Sequence, residues 1–252
     1  MASFRLTSVV HLVRPTGVRA HNLEELRRGI AEATPDCLFY HAHQYVLRFH
    51  DVEELPPNDF SAWVGGVVQD RETAERLAFA SLAQRQNLAA MRNALVDVLD
   101  RLPEKTRIVR DAPEDGGFRF HAAHSVEVPN AFAPESVDEL VECLRDVEPS
   151  CLFYHLIERP LLHPEAPASL ELWVEEQGAP RLARWLREAP DWGLPLEDMR
   201  RGLVRRWRRR QLRSRIAARA QQPEETRRRE AREAVARLVE RVRGADEREG
   251  EA

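Results

Sequence analysis

Apolar and polar positions follow the same order twice along this chain. FRLTSVVHLV at 4–13 and FRFHAAHSVEV at 118–128 are short apolar segments of strand-like character. Asn22 then stands before LEEL, and Ser136 before VDEL. Each is a capping side chain followed by carboxylates in the first helical turns, where the helix dipole favours them. A second helix opens at Thr34-Pro35-Asp36, with a hydroxyl, a proline for the first helical position and an early acid. Glu148-Pro149-Ser150 does similar work in the later stretch, where Pro160 is expected to stop the helix. Leu38, Ala42, Tyr45 and Phe49 fall on one face of the earlier helix, Phe39 and Val46 on another, as in a buried element. Three further amphipathic helices are expected to start near Asn58, Arg71 and Gln86.

The likeness extends to the residues themselves. DCLFYHAHQ at 36–44 returns as SCLFYHLIE at 150–158, an offset of 114. At that offset Phe4-Arg5 matches Phe118-Arg119, Pro15 matches Pro129, Glu25-Leu26 matches Glu139-Leu140, and Pro35 matches Pro149. Eleven of the forty-two positions from 4 to 45 are identical without a gap. Trp63-Val64 then matches Trp173-Val174, and MRNALV at 91–96 matches MRRGLV at 199–204. Order is preserved throughout, as in an internal duplication. The expected fold is mainly α: two homologous helical units at 3–102 and 118–212, joined by a charged, Pro/Gly-containing linker at 103–117. A charged helical or partly disordered tail at 213–252 follows. If the two opening strands pair, a small β-ribbon joins the units about a pseudo-twofold axis.

Composition narrows the class. With 43% hydrophobic residues the 252-residue chain can build a real core, while 32% charged residues exceeds the usual quarter. No run approaches the roughly 18 apolar residues that a transmembrane helix needs. The N-terminus lacks a basic leader and a small-residue cleavage site, so a cytoplasmic location is expected. Cys37, Cys143 and Cys151 are an odd set without a CxxC pair, which fits reduced buried thiols rather than a disulfide framework or zinc site. Lys105 is the only lysine.

Two stretches carry candidate chemistry. His41 and His43 lie two apart, so on a helix they point about 200° from each other and cannot share an ion. His43 and His50 share a face, but about 10 Å apart along the axis, too far for one zinc. No metal, cofactor or catalytic set is therefore expected. GxSxG, GxGxxG, HExxH and phosphate-loop patterns are all missing. PPNDFSAWV at 56–64 admits two readings: a ligand cleft lined by His41, Asn58, Asp59 and Trp63, or a helix cap at Asn58 or Asp59. The later copy reads PASLELWV, with Ser169 able to cap.

The other stretch is 200–219, with ten arginines and no acid, which leaves −14 on the rest of a chain whose net charge is −4. Met199, Leu203 and Trp207 recur every four residues, an apolar stripe under an arginine coat. Arg201, Arg205, Arg206, Arg208, Arg209 and Arg213 are the candidate contacts to a polyanion or an acidic partner. An acidic protein surface, on this chain's own domain or on another protein, is the first expectation. Nucleic acid is the second, since no groove-reading module accompanies the arginines, and anionic lipid the third.

FRL near the start, PTGVRAHNLEEL at 15–26, CLFYHAHQ at 37–44 and NDFSAWV at 58–64 together resemble a family of uncharacterised bacterial and archaeal proteins known only as a domain of unknown function. The resemblance covers the first copy well and the second more loosely, where ASLELWV departs from the NDF pattern. It implies no activity, cofactor or catalytic residue. The expected function is therefore a non-catalytic binding or adaptor role through protein contacts. The alternatives are a small-molecule or enzymatic pocket at His41, Asn58, Asp59 and Trp63, and nucleic-acid association through the arginine helix.

Overall fold

The computed structural model describes residues 3–43, 58–165, 169–192, 194–221, 229, 232, 233 and 235–237. Its contacts divide the chain into Met1–Val204 and Arg205–Ala252. The fold of the first unit is mainly helical, with one two-stranded antiparallel sheet. Strand β1 (Thr7–Ala20) leads into helices α1 (Leu23–Glu32), α2 (Pro35–His43), α3 (Asp59–Gly66), α4 (Arg71–Ala83), α5 (Leu88–Asp100) and α6 (Glu104–Val109). Strand β2 (Phe118–Pro129) is followed by α7 (Val137–Asp146) and α8 (Pro149–Phe153). A π-helical turn (Tyr154–Glu158) and α9 (Arg159–Leu162) come next, then α10 (Leu170–Glu176) and α11 (Pro180–Glu188). Helix α12 (Leu196–Gln221) crosses the division. The expected helix starts near Asn58, Arg71 and Gln86 correspond to α3, α4 and α5, and the charged stretch 103–117 carries the short α6.

Local chemistry accounts for these starts. The side chains of Asn22, Asn58, Asp70, Asn87, Ser136 and Ser169 each accept a backbone N–H of the first turn of the helix that follows. Helix α7 repeats α1 at the 114-residue offset, and α8 opens at Pro149 as α2 opens at Pro35. Pro160 does not stop its helix. It lies within α9, immediately after the π-turn. A proline lacks the amide and crowds the carbonyl four residues back, and a widened turn relieves that crowding. Tyr45, Val46, Phe49 and His50 lie outside the described residues.

The two opening strands pair with each other. β1 runs antiparallel to β2 from Thr7↔Pro129 to Pro15↔His121, then shifts register before Arg19↔Arg119. β1 is longer than its apolar run because it continues through Pro-Thr-Gly. Gly17 takes a positive φ of 83° there, and the Thr16 hydroxyl donates to the Phe120 carbonyl at 2.9 Å. The centre of the pairing is His11↔Ser125, two positions that are themselves 114 apart. The pair Thr7↔Pro129 therefore maps onto His121↔Pro15 at that offset.

β1 packs on α1 and on α8, the CLFYH helix that comes after β2, and β2 packs on α2, the CLFYH helix that comes after β1. Phe39 and Phe153, equivalent residues of these helices, meet at 5.8 Å. Both are buried, as are Phe60, Phe118, Phe120, Trp63 and Trp173. Gly29 on α1 allows close approach of β2, for a Cβ there would lie 2.3 Å from the ring of Phe120.

Candidate functional site

Because β1 packs on the later CLFYH helix and β2 on the earlier one, the two CLFYH histidines reach across the unit. His41 Nε2 accepts the backbone N–H of His121 at 2.9 Å. His155 Nε2 accepts that of Thr7 at 3.0 Å. His41 and His155 are 114 apart, and so are Thr7 and His121. Both amides belong to residues paired with prolines, Pro129 and Pro15, at positions where the N–H groups point out of the ribbon and a proline costs the ladder no bond. The histidines thus satisfy outward amides at Thr7 and His121, in the first and last pairs before the register shift, which would otherwise be buried without an acceptor. Ring packing repeats too: His41 lies 4.9 Å from Phe118, His155 5.3 Å from Phe4. Trp63 lies 5.8 Å from Phe118, and Trp173 5.6 Å from Phe4.

The remaining ring nitrogens differ. Since Nε2 is the acceptor in both rings, the proton of the neutral imidazole sits on Nδ1. His41 Nδ1–H donates to Asp59 Oδ2 at 2.9 Å. His155 Nδ1 is buried with no hydrogen-bond partner. Burial, with Arg159 adding to it, pushes the His155 pKa down to about 3.

Of the four residues expected to line a cleft, the structure joins His41 to Asp59 and commits the others elsewhere. Asn58 is 1% exposed; its side-chain carbonyl accepts Ser61 N–H at 2.7 Å as the cap of α3, and its amide donates to the Leu77 carbonyl at 3.4 Å. Trp63 donates its indole N–H to the Gly116 carbonyl at 2.6 Å. His41 cannot act as a base without giving up the His121 amide. His43 turns elsewhere, its Nε2–H donating to the Arg85 carbonyl at 2.9 Å and its ring stacking on Phe39. Burial pushes its pKa down to about 4. Burial likewise pushes the Cys37 and Cys151 thiols up to about 11, away from the reactive thiolate.

Two polar pairs were not singled out in the sequence. His11 Nε2 meets Glu158 Oε2 at 2.6 Å, with the Glu158 side chain 1% exposed, and the Tyr154 hydroxyl donates to Glu127. Both pairs tie the ribbon to the π-turn. The positions matching them at the 114-residue offset are Ser125, Gln44, Tyr40 and Val13, a set without charge. The packing of β1 against the π-turn brings His11 to Glu158.

In helix α12, Arg201 pairs with Glu197 at 3.1 Å and Asp198 at 3.5 Å, one turn back. Arg205, Arg206, Arg208, Arg209 and Arg213 are exposed, and the Arg210 guanidinium lies 5.9 Å from the Trp207 ring centroid. Among the described residues, no helix is long and apolar enough to cross a membrane.

A family model described as a family of unknown function, DUF5752, matches residues 1–208 as a single span. No curated protein matches the sequence. Among solved structures the chain is similar to OrfY from Thermoproteus tenax, with 24% identity, a TM-score of 0.67, and coverage of 81% of this chain and 93% of that one. That likeness is one of fold.

Proposed function

The chain belongs to the DUF5752 family of unknown function, and we propose that it is a non-catalytic binding protein acting through protein contacts. The observation that carries this reading is the outer face of the ribbon. Val10, Leu12, Val126 and Val128 share that face, with Val10 directly opposite Val126, and are exposed by 53%, 58%, 40% and 44%. A contiguous set of large apolar side chains on a strand surface is characteristic of a protein interface. The His41 neighbourhood supports the same reading, since its donors and acceptors are engaged in holding α2 and α3 to β2. Native mass spectrometry of the gently purified chain tests it. A stable complex is expected, and Leu12→Thr with Val126→Thr should release the partner while keeping strand-forming residues in place. The mass of the bare chain from a gentle preparation would overturn the reading.

A second reading rests on the exposed arginines of α12. They suit an acidic protein surface or a phosphate backbone. Nucleic-acid binding through them would weaken steeply with salt and would disappear on truncation before Met199. We also infer that the two halves descend from an internal duplication, near 3–102 and 118–212. The paired His41/His121 and His155/Thr7 bonds support it.

A further inference from the structure

The two histidine sites differ by one carboxylate. His155 is 2% exposed, its Nε2 is taken by the Thr7 amide, and its Nδ1–H points to no acceptor. In the other half the same atom donates to Asp59. Asp59 stands four residues before Trp63; the residue four before Trp173 is Ser169. The Ser169 hydroxyl is used on the Leu172 N–H at 3.3 Å, as the cap of α10. The second half therefore keeps the donor and lacks the acid.

The surroundings suit an anion with a short apolar body. Arg159, four residues along the chain, carries a positive charge that opposes protonation of His155. The rings of Tyr154 and Phe4 lie 5.0 Å and 5.3 Å from the imidazole. His155 is carried on the π-turn Tyr154–Glu158, whereas the matching Tyr40–His43 are α-helical. Single π-turns inside helices frequently mark functional sites. The Asp59 side chain is 23% exposed, so in the first half the corresponding place reaches the surface.

We propose that His155 Nδ1–H is the donor of a binding site for a small carboxylic acid, whose carboxylate takes the place that Asp59 fills in the other half. The site binds by one charge-assisted hydrogen bond to His155, with Arg159 contributing long-range attraction and Phe4 and Tyr154 bordering the aliphatic end. It is independent of the outer ribbon face, so it stands or falls apart from the protein-contact reading.

The test uses the full chain labelled with nitrogen-15 in its histidines. Formate, acetate and propionate are titrated at constant ionic strength against chloride, and the imidazole N–H protons are followed. The His155 Nδ1–H resonance is expected to move downfield and exchange more slowly with each carboxylate and not with chloride. The His41 resonance, already bonded to Asp59, is expected to stay fixed. Ser169→Asp retains a capping side chain, and it should produce the shifted resonance without added acid and abolish the response. A wild-type His155 resonance that none of the three acids moves would overturn the proposal.

Discussion

His41 and His155 perform one task in two different settings. Each accepts an outward amide of the other half's strand, and each lies against a Phe–Trp pair. His41 then completes its hydrogen bonding on Asp59, while His155 retains a buried donor without an acceptor. The shared bond accounts for a histidine at both 41 and 155. The unshared bond shows that the halves are equivalent as scaffolds and different as chemistry. A buried unmade hydrogen bond opposes folding, so it persists where the surrounding structure over-determines it.

That comparison can be broken most forcefully at the histidines themselves. His41→Ala and His155→Ala each remove a buried ring and leave a strand amide unpaired. Each should cost roughly 2–5 kcal/mol in urea unfolding. If only one of the two were destabilising, the equivalence of the sites would fail.

Next in size is the contact of α1 with β2. Gly29→Ala forces a methyl group against the buried Phe120 ring and should cost about 1–3 kcal/mol. At the 114-residue offset the other half has Cys143 for Gly29 and Leu6 for Phe120, a larger residue matched to a smaller one. Phe120→Leu should therefore restore part of the loss in Gly29→Ala. A double-mutant cycle measures the coupling; strictly additive costs would argue against the exchange of volumes.

Acid sharpens the difference between the histidines. His155 and His43 have pKa values pushed from 6.5 down to about 3 and about 4. Below pH 6.5 the unfolded chain binds protons that the folded chain refuses. Stability is therefore fully present above that pH and falls as pH drops, until each folded-state pKa is reached. Each histidine contributes at most about 1.4 kcal/mol per pH unit. His43→Ile, which installs the residue that Ile157 supplies at the matching position, should remove its share of the slope. An unchanged slope would remove His43 from the account.

The smallest effect separates a cap from a ligand cleft. Asn58→Ala should cost about 1 kcal/mol as a lost cap, a shift in Tm of roughly 2–4 °C, with partner binding intact once the chain is folded. Partner binding lost at unchanged Tm would instead support a ligand cleft at Asn58.

Much of the helical framework was legible in the residues. Asn22, Ser136, Asn58 and Ser169 cap helices as their side chains dictate, and α7 repeats α1 position for position because the sequence pattern does. Pro160 misleads, because the widened turn before it lets the helix continue. β1 runs past its apolar segment because Gly17 and Thr16 let the strand bend and keep its pairing. In the candidate cleft, the His41–Asp59 contact follows the proximity that the motifs suggested. The engagement of His41 by His121, and of Trp63 by Gly116, does not.

What the sequence determined by itself was local: where helices start, which faces are apolar, that CLFYH belongs to a buried helix, and that its elements recur at a fixed offset. Capping, periodicity and helix dipoles act over a few residues, so they are written in adjacent letters. The tertiary structure alone decided that β1 pairs with β2, that each strand lies on the other half's helix, and that His41 keeps an acid while His155 does not. The first two depend on contacts 80 or more residues apart, such as His41 with His121 (80 apart) and Thr7 with His155 (148 apart), and the third on Asp59, 18 residues from His41. A repeated sequence is equally compatible with pairing inside a half and pairing across halves. Pairing across halves leaves the Thr7 and His121 amides pointing out of the ribbon, and the packed helices bring His155 and His41 there as acceptors.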